Sequence, residues 1–114
     1  MSAIARRLGD ILSAIDAIER HSSSEAEFRA NELHQIWMVH HLQIIGEASS
    51  AIDRAWREAH PSVDWAAIIG MRQILVHRYW RVDLDVVWAT IANDIPPLRD
   101  QVEQLLEQVG EEDE

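Results

Sequence analysis

The sequence predicts an all-α protein, a four-helix bundle with short connections. Three observations point there. Apolar residues recur at alternating steps of three and four in several long segments, the spacing of one buried helical stripe. Polar clusters with good cap residues separate those segments, at His21 to Ser24, at His60 to Asp64 and at Asp83. No run alternates apolar and polar in the manner of a strand, and no internal repeat is visible.

Each element follows from its own pattern. Ile4, Leu8, Ile11, Ile15 and Ile18 predict a first helix over 2–20. The cluster His21-Ser-Ser-Ser24 ends it, and Ser24 with Glu27 three residues on forms a candidate capping box for a short helical turn in the first loop. Leu33, Trp37, His40, Ile44, Ala48, Ala51 and Ala55 share one face of a second helix expected over 31–59, with Ile45, Ile52 and Trp56 widening the stripe. Gly46 lies inside that helix, where glycine costs about 1 kcal/mol relative to alanine, which suggests a neighbouring backbone close by. The chain turns at His60-Pro61-Ser62, and Asp64 caps a third helix carrying Trp65, Ile68 and Leu75, expected to end near His77 to Tyr79. Asp83 caps the last helix, in which Leu84, Trp88, Ile91, Ile95, Leu98, Val102, Leu105 and Val109 keep one rhythm. That rhythm crosses Pro96-Pro97 without a phase slip, so the last helix is kinked or briefly interrupted there.

The 114 residues make one domain with one core, read here as 1–109, followed by an acidic, disordered tail at 110–114. There is no cysteine, so disulfides and thiolate metal sites are excluded. The first ten residues hold two arginines but no apolar run of signal-peptide length, and no stretch approaches the roughly 20 apolar residues of a membrane span. A cytoplasmic protein is expected, with no membrane partner.

A net charge of -10 argues against nucleic acid in general and against DNA in particular, but its distribution qualifies this. Seven of the twenty acids lie between Asp100 and Glu114, where there is no base. From Met71 to Arg81 the chain carries Arg72, His77, Arg78 and Arg81 and no acid. All ten basic residues are arginine, which suits bidentate phosphate contacts, although a codon bias in a GC-rich genome explains it equally well.

The candidate chemistry sits in that segment, Arg72-Gln-Ile-Leu-Val-His77-Arg78-Tyr79, which places a fixed cation, an imidazole and a phenol within one or two turns. Arg72 shares a helical face with Trp65, Ile68 and Leu75, so its guanidinium interrupts a buried stripe. It needs a carboxylate such as Glu47, a phosphate, or a pocket open to water. His77 lies roughly 140° around the helix from Arg72. The two meet on one phosphate only if the helix unwinds or a second subunit contributes, and the latter implies a symmetric dimer. Taken alone, His77 is more often a surface or capping histidine at a helix C-terminus, and Arg78 and Arg81 read as no more than solvated charges. Six histidines invite a metal, but they form no H-x-x-x-H or E-x-x-H pair, so no metal and no cofactor is expected. His40 reads as a core or cleft histidine, and the five tryptophans as core or interface packing.

The string Arg72-x4-His77-x-Tyr79 resembles the R-x(4-6)-H-x-[YF] signature of the HEPN superfamily of ribonucleases. The flanks Ile44-Ile-Gly46-Glu47-Ala48, Trp65-x-x-Ile68-Ile69-Gly70-Met71-Arg72, Val82-Asp83-x-Asp85-x-Val87-Trp88 and Asp94-Ile95-Pro96-Pro97-Leu98 are similar to its HepT-like toxin branch, over about 35–105. That resemblance implies a homodimeric, metal-independent endoribonuclease toxin of a type VII-like toxin-antitoxin pair, acting on tRNA or mRNA. Its partner would be a minimal nucleotidyltransferase antitoxin of the MntA type. Arg72 would hold the scissile phosphate and His77 would act as general base or acid in 2′-hydroxyl attack, leaving a 2′,3′-cyclic phosphate. Tyr79 would be the residue to which the antitoxin attaches AMP. Many relatives have asparagine directly after the arginine, whereas Gln73 stands here, one methylene longer. Gln73, Arg78 and Arg81 would support Arg72 or attract RNA phosphates. The alternative, of a different class, is a catalytically inactive homodimeric module that holds RNA, nucleotide or the nucleotidyltransferase without cutting.

Overall fold

The structure, a computed structural model, describes residues 2–75 and 83–112, the side chains of 71–75 and 112 excepted. The described residues form seven α-helices and no strand. They are α1 (Ala3–Arg20), α2 (Glu25–Ala30), α3 (Glu32–Ser50), α4 (Arg54–Ala59), α5 (Trp65–Leu75), α6 (Leu84–Ala89) and α7 (Ile95–Glu112). A π-helical turn, Thr90–Asp94, joins the last two. α1 packs between α3 and α7, α3 also carries α5, and α2 lies against α3 and α6. The fold is thus the expected helical bundle, its four layers made by α1, α3, α5 and the α6 to α7 rod.

α1 forms where the periodicity placed it. Ser2 accepts the Ala5 N–H at 3.0 Å, and Leu8, Ile11, Ile15 and Ile18 are all buried. Ser24 caps α2 by accepting the Glu27 N–H at 3.1 Å, while its hydroxyl donates to Glu27 Oε1 at 3.2 Å. The short turn expected there is a six-residue helix that inserts Phe28 into the core, 5.6 Å from the Trp88 ring centroid.

Two expectations about the second helix are corrected. The helix read over 31–59 is broken: α3 stops at Ser50, and α4 starts after Asp53. Ile52 is buried at the break, where its N–H bonds to Ser49 O in a tightened turn and its carbonyl accepts Arg57 Nε at 3.0 Å. Burial of Ile52 and that side-chain cap stabilise a bend that helical periodicity alone does not reveal. The buried face is also rotated. Met38, Val39, Leu42, Ile45, Ala48, Ser49 and Ile52 point inward, whereas Leu33 is 79% exposed and His40, Ala51 and Ala55 are exposed. Ser49 obscured this, because its hydroxyl donates to Ile45 O at 2.8 Å and so lets a polar residue occupy the core stripe. Gly46 is buried on α3.

Asp64 caps α5 through the Ala67 N–H at 3.1 Å, and Asp83 caps α6 through Asp85 and Val86 at 3.1 and 3.2 Å. The expected interruption near Pro96-Pro97 takes the form of the π turn. Neither proline has an N–H, so the carbonyls of Ala92 and Asn93 lose their helical partners, and a widened register just before the pair absorbs that loss. The prolines then occupy the first turn of α7, where missing donors cost least. Ile95, Leu98, Val102, Leu105 and Val109 keep the stripe buried across the turn. No helix among the described residues is long and apolar enough to cross a membrane.

Candidate functional site

α5 is the helix that carries the candidate chemistry, and its start is held from three sides. Asp64 caps it, the buried Trp65 indole donates to His60 O at 2.9 Å, and Trp65 packs edge-on against Trp56 at 6.2 Å. The helix then runs without a break through Ile68, Gly70, Arg72 and Gln73 to Leu75. Arg72 therefore stands in its last turn, four residues beyond the half-buried Ile68 and seven beyond Trp65, in register with both. The Arg72 and Gln73 side chains are not among those described, so the possible pairing of Arg72 with Glu47 falls outside the description. His77, Arg78, Tyr79 and Arg81 also lie outside the described residues.

One groove opens along this helix and another lies between α1 and α3. The first, of about 450 Å3, separates the first turns of α5 from the π turn and the start of α7; Asp64, Ala67, Ile68, Thr90, Asp94 and Leu98 are among its lining residues. The other, of about 370 Å3, has Arg7, Asp10, His41 and Glu47 in its lining. Arg7 and Asp10 pair there at 3.9 Å.

Among the described residues, no histidine belongs to a group of three or more His, Asp or Glu able to hold a metal ion. Sequence reasoning missed a different use for two of them. His41 Nδ1 lies 2.8 Å from Trp37 O with the rings 3.9 Å apart, and His60 Nδ1 lies 2.7 Å from Trp56 O with the rings again 3.9 Å apart. A carbonyl only accepts, so each Nδ1 carries the proton and each imidazole is fixed on its tryptophan. The signal was in the sequence, since both pairs are W-x-x-x-H, one helical turn apart. His40, expected in the core or a cleft, is exposed; its ring meets His41 edge-on at 5.2 Å.

Several described arginines are committed to acids rather than to a ligand surface. Arg29 bonds Glu25 at 3.0 Å and Asp85 at 2.6 Å, joining α2 to α6, and Arg54 bonds Glu58 at 3.0 Å. Arg99 of α7 reaches Asp16 and Glu19 of α1 as well as Glu103. Hydrogen bonds to Asp16, then to Glu19, hold its guanidinium further toward the charged form than usual.

Comparison with known proteins places this arrangement. A family model described as Ribonuclease HepT-like matches residues 11–105, from the middle of α1 to most of α7. A protein of Methanocaldococcus jannaschii named as a candidate RNase is 38% identical over 98 residues, covering 84% of this chain and 90% of the relative. One of Thermococcus cleftensis, named as a candidate ribonuclease HepT, is 36% identical over 100 residues, 86% of this chain and 91% of the relative. A third, from Caldanaerobacter subterraneus and also named as a candidate RNase, is 42% identical over 69 residues, 60% of this chain and 62% of the relative. No solved structure matches the chain.

Proposed function

The chain belongs to the HepT-like ribonuclease family, and from that premise we propose that it is a metal-independent endoribonuclease toxin, active as a homodimer on tRNA or mRNA and silenced by a nucleotidyltransferase antitoxin of the MntA type. The observation that carries this reading is the string Arg72-x4-His77-x-Tyr79, which begins in the last described turn of α5 and lies inside the matched region.

In the proposed reaction the 2′-hydroxyl of one nucleotide attacks the adjacent phosphorus. His77 takes the hydroxyl proton as general base, or, in the mirrored role, donates a proton to the departing 5′-oxygen. Arg72 holds the non-bridging oxygens and offsets the charge that builds on them in the transition state. The strand leaves a 2′,3′-cyclic phosphate on one side and a 5′-hydroxyl on the other. Two protomers present two copies of each group to a shared cleft, which supplies both an acid and a base. Gln73 steadies Arg72 or the phosphate, and Arg78 and Arg81 draw in the RNA backbone. AMP attached to Tyr79 adds bulk and negative charge at the cleft, so RNA is repelled. The exposed Leu33 and Ile36 of α3, 79% and 55% accessible, support a second copy as a partner.

The test is RNA cleavage in EDTA by the purified, unmodified protein. Cleavage with cyclic-phosphate ends, reduced by about a hundredfold or more in Arg72→Ala and His77→Ala, is the expected result. Equal activity in all three proteins, or none in any, counts against it, and RNA binding without cyclic-phosphate products would favour a non-catalytic module. Co-expression with a nucleotidyltransferase antitoxin of the MntA type should add AMP to the intact mass, and Tyr79→Phe should abolish the addition.

A further inference from the structure

The groove between α5 and the π turn has no place in the reaction just described, yet its chemistry is selective. Its walls are apolar on both sides, with Ile68 from α5 facing Val86 and Leu98 from the α6 to α7 rod. Its polar lining sets two carboxylates, Asp64 and Asp94, beside the Ser62 hydroxyl and the Gln101 amide. One oxygen of Asp64 takes the Ala67 N–H, the Thr90 hydroxyl proton is spent on Val86 O at 2.8 Å, and Asp94 carries no ion pair among the described residues. No arginine or histidine is among the described residues that line it. A phosphate would find no cation there. A flat apolar body bearing an amino group would find two walls and carboxylate acceptors.

We propose that this groove is a base subsite for the substrate RNA, seating the unpaired nucleobase next to the scissile linkage and favouring adenine, cytosine or guanine, whose amino groups donate to a carboxylate, over uracil, whose one ring-edge donor, N3–H, is flanked by two carbonyls that a carboxylate repels. The inference rests on the ribonuclease reading and names its substrate preference. Placement decides for RNA over a basic protein segment. Ile68 is one turn before Arg72 on the same face of α5, about 6 Å along the axis. That is comparable to the separation of a base from its own phosphate. The Asp94-Ile95-Pro96-Pro97-Leu98 string then gains a use: the prolines force the π turn, and the turn sets Thr90 and Asp94 opposite α5.

The test is an amide-shift titration of isotope-labelled protein with adenosine, cytidine and uridine, none of which carries a phosphate. Adenosine and cytidine should move the Ala67, Ile68 and Gln101 amides, with uridine weaker by roughly tenfold or more, the size of a lost hydrogen bond to a charged group. Asp94→Asn, a change at an exposed side chain, should erase that preference, and Ala67→Trp should fill the groove and remove binding. In cleavage assays both variants should lose discrimination against uridine beside the cut. No shift at those amides, equal shifts from all three nucleosides, or shifts from an arginine-rich peptide alone would overturn the proposal. RNA left uncut while adenosine still moves Ala67 and Ile68 would sink the nuclease reading and with it the subsite's place beside a scissile linkage, whereas RNA cut without those shifts would overturn the subsite alone.

Discussion

Trp65 Nε1 donates to the His60 carbonyl at 2.9 Å, and that one bond ties the first residue of α5 to the residue that caps the end of α4. His60 is itself fixed, its ring stacked on Trp56 at 3.9 Å and 19°. The entry angle of the helix that leads to Arg72 is therefore set by a three-ring cluster rather than by loop length. Trp65→Phe keeps most of the apolar volume and removes the donor, so it should cost about 1 kcal/mol in denaturant unfolding, more if the carbonyl finds no water. Cleavage should fall further than stability does, because a small swing at the start of α5 is magnified at its end. Unchanged cleavage in a variant destabilised by that amount would show that the cluster does not align the site.

Arg99 clips α7 to α1 through Asp16 and Glu19 while also bonding Glu103 of its own helix. Its side chain is 26% exposed, so the network is partly screened and should contribute about 1 kcal/mol in total. The guanidinium is raised above an already high ordinary value, and a raised cation gives its stability in full below that value. Its own titration therefore adds no pH dependence in the usual range. Salt is the readout: the stability gap between the native chain and Arg99→Met should shrink in molar NaCl, where the screening length falls to about 3 Å. A gap indifferent to salt would mean that Arg99 acts through packing of its stem.

How far the sequence reveals the fold is clearest on α1 and α3. On α1 the stripe positions Leu8, Ile11, Ile15 and Ile18 are large aliphatics and all are buried, so periodicity and structure agree there. On α3 apolar residues lie on two faces, and the inward one includes Ser49, so the stripe through Leu33 and His40 looked equally good. The break at Ile52 was hidden for a related reason, since it depends on a bond from Arg57 that no spacing rule encodes. The candidate site was legible only as a string, and the groove beside it was not, because Ile68 and Asp94 meet through tertiary packing. The face assignment is directly measurable. Leu42→Ala, at 0% exposure, should lose about 2–5 kcal/mol, while His40→Ala should stay within about 0.5 kcal/mol of the native chain. Comparable losses from both would restore the stripe through His40.

The second apolar face of α3 leads to the last prediction. A helix that is apolar on more than one side buries the extra side against something, and here Leu33 and Ile36 remain 79% and 55% exposed beside a half-buried Trp37. Solvating both costs up to a few kcal/mol, which a second copy would recover by covering them. A shared cleft with paired arginines and histidines requires such a second copy. Leu33→Asp combined with Ile36→Asp leaves every core contact in place, so helicity by circular dichroism should be unchanged. Sedimentation should then report a monomer in place of a dimer, and RNA cleavage should fall with the dimer fraction. The concentration dependence separates this from a local effect on chemistry, because raising the protein concentration should restore both the dimer and the activity together. A native chain that sediments as a monomer, or a double variant that cuts RNA as a monomer, would remove the paired-cleft mechanism and leave Arg72 and His77 to act within one chain.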